Sequence, residues 1–178
     1  YQLMLYEFKN GLNAYFASLG AAAPVKSIQE LIEFNERHRD EELRFFGQEI
    51  LIQAEAKGPL TEPGYLDARA KCVAWSRRVE ALVDEQQLDA VVAPTGGPAH
   101  TLDWIHGDRG LGGSSSCAAV AGLPNITVPC GEVQGLPVGI SFLGCKWSEP
   151  RLLAIAHAFE QATKARKPPR FLPRLDLA

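Results

Sequence analysis

The sequence predicts an α/β fold in which helices cover a mixed β-sheet: a helical first half, then the order strand-helix-strand-strand-helix. Two observations carry this. Up to residue 87 the apolar residues recur at three- and four-residue steps, the period of an amphipathic helix. From Leu88 the pattern changes to short apolar runs bounded by Gly and Pro, which read as strands. The 178 residues, 46% hydrophobic, suffice to bury a core.

Leu5, Phe8, Leu12, Tyr15, Phe16 and Leu19 give the first helical stripe, which Gly20 and Pro24 end. Ser27 and Glu30 form a capping box: the serine hydroxyl accepts from the third helical N–H while the glutamate reaches back. The charged run 37–42, with His38, reads as a solvated face. Leu43, Phe46, Ile50 and Ala54 keep helical spacing until Gly58-Pro59 stops it. Thr61 caps the next helix and Pro63 sits in its first turn, where no amide partner is lost. Ala68, Cys72, Trp75, Val79, Leu82 and Val83 then form its apolar stripe.

Ala90–Ala93, ending at Pro94, is expected as a strand buried on both faces. Residues 125–129 and 137–143 are two further strands, joined by a hairpin loop of several residues between Gly131 and Gly135. Val138, Ile140 and Phe142 share one face of the last strand; Gly139 and Ser141 leave the other low, open to close approach. Between the first two strands, Gly110–Ser116 leads into a helix of small residues. Ser148 caps the last helix, whose stripe is Leu152, Ile155, Ala156, Phe159 and Ala162. Cations at 164–167 suit its C-terminal end, and Pro168-Pro169 stops it. Residues 1–87 therefore form a helical segment and 88–178 an α/β segment. Three strands are few for so many apolar helices, so the two segments are expected to be part of one larger domain. Exposed sheet edges suggest dimerisation as one way of covering them.

Composition excludes several classes. The net charge is −3 with both signs mixed, which leaves no nucleic-acid footprint. No run approaches the roughly 18 apolar residues of a membrane span. Cys72, Cys117, Cys130 and Cys145 contain no C-x-x-C pair, so they read as free buried thiols and favour a reducing, cytoplasmic compartment. The chain begins with Tyr1 rather than Met, which fits either processing or a piece of a longer protein.

Three constellations invite a functional reading. A self-contained hydrolase would use Ser114, Ser115 or Ser116 as nucleophile, His100 or His106 as base, and Asp103 or Asp108 as orienter. The serines lack the Gly-x-Ser-x-Gly elbow, however, and read more simply as the start of a helix. Gly112–Ser115 could cradle a carbonyl or carboxylate, but no nucleotide fingerprint accompanies it, and no cofactor is implied. His100, Asp103, His106 and Asp108 fit no common zinc spacing, so no metal is assigned. Trp104, beside Asp103, either lines a pocket or anchors the loop to the core.

With these residues in view, the second half resembles the C-terminal part of the amidase signature family. The matching pieces are residues 88–95 (LDAVVAPT), 118–131 (AAVAGLPNITVPCG), 135–144 (GLPVGISFLG) and 149–171, in order over about 85 residues. Residues 5–8 (LYEF) and 58–61 (GPLT) are similar to the peptide-amidase-like branch. The resemblance implies a partial amidase-signature fold and hydrolysis of carboxamide C–N bonds by a Ser–cis-Ser–Lys triad. The family's Gly/Ser-rich signature lies upstream of the matched segment. Gly112–Ser116 is not followed by that signature's Gly-Gly, and no lysine of the chain stands in a buried strand-end context. No catalytic residue is therefore assigned here. By position, Thr95, Asp103, Trp104, Ser114 and Ser115 are the candidates for lining the pocket of a small amide or peptide-amide substrate. A non-catalytic binding or assembly module on the same scaffold is the alternative.

Overall fold

A computed structural model describes residues 1–107 and 110–171. It divides into two compact units, Tyr1–Lys71 and the chain from Cys72 onward.

The first unit is helical: α1 (Gln2–Ser18), α2 (Ile28–Arg37), α3 (Arg39–Glu42), α4 (Glu49–Glu55) and the beginning of α5 (Pro63–Glu85). Its core is Leu5, Ile28 and Ala54, with Leu12, Ile32 and Leu51 packed around them. The capping box forms: Ser27 Oγ accepts from the Glu30 amide at 3.1 Å. The Glu30 carboxylate reaches one residue further back than expected, accepting from the Lys26 amide at 2.8 Å. Lys9 closes the end of α4, its Nζ donating to the Glu55 and Lys57 carbonyls at 2.6 and 2.8 Å. The helical spacing expected from Leu43 to Ala54 is interrupted at 43–48. Phe45 and Phe46 are exposed, so there is no buried stripe here to keep that segment helical.

The second unit holds the sheet. Its strands are β1 (Val91–Pro94), β2 (Asn125–Val133) and β3 (Leu136–Leu143), with α6 (Ser115–Ala121) between β1 and β2, and α7 (Glu149–Thr163) after β3. The strand order is β1-β3-β2, and both outer strands run antiparallel to β3. β2 and β3 are joined by a two-residue turn, Gln134 and Gly135, both at positive φ (52° and 77°) as a tight hairpin requires. The expected longer loop is thus absent. β2 instead continues through a bulge between Pro129 and Gly131, where Gly131 takes φ 150°.

Alternation along β3 gives the sheet two different faces. One face, with Val128, Phe142, Ile126 and Ile140, packs against Leu152, Ala156, Ile155 and Phe159 of α7. Phe142 and Phe159 meet edge to face, centroids 5.8 Å apart. On the other face Leu143 and Val91 pack with Ala118 and Ala121 of α6, Leu123, and Val79 of α5. Farther along that face lie Gly139, Ser141 and Thr127.

β1 is an edge strand, not one buried on both faces: β3 flanks it on one side, and Val92 is 54% exposed. On α5 the buried line runs through Ser76 and Val83, with Cys72 and Val79 half-buried, while Trp75 and Leu82 are exposed. The cysteines are free thiols but not buried ones. Cys117 and Cys130 are exposed, because the small residues Ala118 and Ala121 supply the inward face of α6 and Cys130 sits on the bulge. No helix among the described residues is long and apolar enough to cross a membrane.

Candidate functional site

Residues 95–107 follow the end of β1, and residues 110–113 precede the start of α6. The two stretches are held together. Gly96 and Gly113 form an antiparallel bridge, and the Ser114 amide donates to the Thr95 carbonyl at 3.2 Å. Gly113 is required by this approach, since a Cβ there would lie 2.7 Å from the Thr95 carbonyl oxygen. The Thr95 amide in turn donates to the Gly139 carbonyl at 2.9 Å, which ties the loop to β3.

Thr95 also meets two hydroxyls that the sequence reading left out. Its Oγ1 lies 2.8 Å from Ser141 Oγ and 3.2 Å from Thr127 Oγ1, and those two are 2.9 Å apart. One of each comes from β3 and β2. The clue in the sequence was the low side of β3, where Gly139 and Ser141 alternate with bulky residues. That space is filled by threonine side chains, not by another backbone: a Cβ on Gly139 would fall 2.9 Å from both Thr127 Cγ2 and Thr95 Oγ1.

The other candidates are placed as follows. Ser114 is the N-cap residue of α6 but makes no side-chain cap bond, and its hydroxyl is enclosed without a hydrogen-bond partner. Ser115 is the first residue of α6 and is exposed. Asp103 organises a turn: its Oδ1 accepts from the Ile105 and His106 amides at 3.0 and 2.9 Å, and its Oδ2 lies 3.0 Å from His106 Nδ1. The two amides, His106 first, and then the His106 ring hold the Asp103 carboxyl below its ordinary range. Trp104 follows it and is 59% exposed. Asp108 lies outside the described residues.

The structure thus joins Thr95 with Ser114, and Asp103 with His106. Among the described residues, His106 Nδ1 lies against Asp103, and the Ser114 hydroxyl has no hydrogen-bond partner. Elsewhere, a cleft between the β2–β3 turn and the segment 165–171 is lined by Pro129, Leu136, Arg166 and Phe171, with Lys167 paired to Glu132 at 2.6 Å. None of the candidate residues lines it.

Comparison with known proteins gives concordant results. The amidase family model matches residues 1–153. A probable amidase of Arabidopsis thaliana is 40% identical over 173 residues, covering 95% of this chain and 30% of its own length. The crystal structure of a peptide amidase bound to the competitive inhibitor chymostatin superimposes with a TM-score of 0.90 at 46% identity, over 96% of this chain and 35% of that one. Native peptide amidase from Stenotrophomonas maltophilia gives a TM-score of 0.85 at 45% identity, over 96% of this chain and 34% of that one. The chain therefore spans about a third of the length of the proteins it matches.

Proposed function

Because the chain belongs to the amidase signature family, we propose that it is the C-terminal part of an enzyme hydrolysing carboxamide C–N bonds, whose Ser–cis-Ser–Lys residues lie outside these 178. The observation that carries this reading is the likeness to peptide amidase, 46% identical at a TM-score of 0.90 across nearly the whole chain but only 35% of that protein. It favours a small amide or peptide amide as substrate.

The chemistry of such a triad is acyl transfer. A serine oxygen attacks the carboxamide carbon as its proton passes through the middle serine to a neutral lysine. The C–N bond then breaks with protonation of the leaving nitrogen, and water hydrolyses the acyl-enzyme. A lysine serving as that base must be held neutral by its surroundings. Among the described residues, Lys9 Nζ donates to two backbone carbonyls and pairs with Glu55, and Lys71, Lys146 and Lys167 are paired with carboxylates. On this reading the present chain supplies part of the central sheet and the substrate side of the pocket. Ligands in α/β sheets bind outside strand ends, and the Thr95–Gly113 loop is at the C-terminal end of β1.

Thr95, Asp103, Trp104, Ser114 and Ser115 are accordingly assigned to substrate binding rather than bond breaking. Alanine at Thr95, Asp103, Trp104 or Ser115 in the complete protein is expected to raise KM by about three- to tenfold for some amides and not others, with kcat largely kept, the pattern of lost ground-state binding. Unchanged selectivity across a panel of peptide amides would remove these residues from the pocket.

A further inference from the structure

Thr95 is a junction of three elements. Its amide is bound to β3, its carbonyl to the first residue before α6, and its hydroxyl to β2 and β3 together. Ser141, beneath it, is only 2% exposed, whereas Thr127 is exposed. A hydroxyl carries one proton and two lone pairs. Three of them at mutual distances of 2.8, 2.9 and 3.2 Å can each donate to the next, so that among the described residues the buried Ser141 hydroxyl is satisfied by its two threonine neighbours. Gly139 leaves the room in which the triangle fits.

We propose that Thr127 and Ser141 are positioning residues for substrate binding: their hydroxyls fix the Thr95 side chain, and the Thr95 backbone passes that constraint to Gly96, Gly113 and the start of α6. This rests on the reading of the Thr95–Gly113 loop as the substrate side of an amidase pocket. Neither residue belongs to the loop itself. Their influence runs through Thr95, whose carbonyl is the acceptor for Ser114 and whose neighbour Gly96 bridges to Gly113.

The test uses the complete protein with Thr127→Val, which keeps the side-chain shape and removes the hydroxyl, and Thr127→Ser, which keeps the hydroxyl. Two quantities are measured: steady-state hydrolysis of a peptide amide, and hydrogen exchange at the Ser114 amide. The valine variant is expected to raise KM about fivefold, the equivalent of one ordinary hydrogen bond, with kcat within about twofold of wild type. Ser114 exchange should accelerate in parallel, and the serine variant should restore both. Unchanged KM in the valine variant overturns the proposal, whether or not exchange is faster, and so does a serine variant as impaired as the valine one. If the unmodified protein hydrolyses no amide, the amidase reading fails instead. Exchange at Ser114 then decides the link from hydroxyl to loop on its own: acceleration by valine and rescue by serine support it, and no change overturns it.

Discussion

Replacing Leu152 by alanine is expected to destabilise the sheet unit by about 3 kcal/mol, within the range seen when a fully buried leucine is cut back to a methyl group. Leu152 is 2% exposed and packs in one cluster with Val128, Phe142 and Ala156, so its loss opens a cavity between α7 and the sheet. Its seat is made by Gly144: a Cβ there would come within 3.2 and 3.3 Å of the Leu152 methyls. The site has little freedom to collapse, because α7 follows the sheet closely and Phe159 is already engaged with Phe142. Urea denaturation with an unchanged slope and a lowered midpoint would show the loss. Leu152→Met, which nearly conserves volume, should cost less than about 1.5 kcal/mol. A loss below about 1 kcal/mol for the alanine variant would mean that α7 is not packed on this face as described.

Gly113→Ala is expected to cost about 2 kcal/mol, the range for forcing an added methyl into a filled space. The obstacle is backbone, the Thr95 carbonyl oxygen 2.7 Å from the new Cβ, and cannot be relieved by a rotamer change. The Gly96–Gly113 bridge must open, and with it the bond from the Ser114 amide to Thr95. The loss should therefore appear locally as well as globally. Hydrogen exchange at Ser114 should accelerate more than exchange in the β2–β3 ladder, which the added methyl does not touch. Equal effects on both would show that the loop closure is not the seat of the strain.

Much of the framework was legible because it follows from local rules. Ser27 and Glu30 mark a helix start by their spacing alone, and the strand around Ile140 and Phe142 declares its buried face by alternation. What was misread depended on partners distant in sequence. Trp75 and Leu82 fit a helical stripe as well as Ser76 does, and only the position of the sheet decides that the line through Ser76, Val79 and Val83 turns inward. β1 has the composition of a central strand, yet among the described residues it has a strand neighbour on one side only. Gly131 and Gly135 looked like the two ends of one loop, whereas the first makes a bulge and the second a turn.

Thr95 and Ser114 were named as candidates by position alone; they stand 19 positions apart, and the glycine bridge that joins them is visible only in the structure. Thr127 and Ser141 were missed because a hydroxyl in a strand has no pattern of its own. Its meaning arises only when β1, β3 and β2 bring three such groups within hydrogen-bonding distance.

The most direct test of the central claim is ammonia release from a panel of primary amides and peptide amides, measured for this 178-residue chain and for the product of its complete reading frame. Activity in the complete product alone is the predicted result, and it places the bond-breaking residues outside the chain. Activity in the 178-residue chain that disappears with Ser115→Ala would contradict the account and make the serines at the head of α6 the catalytic site.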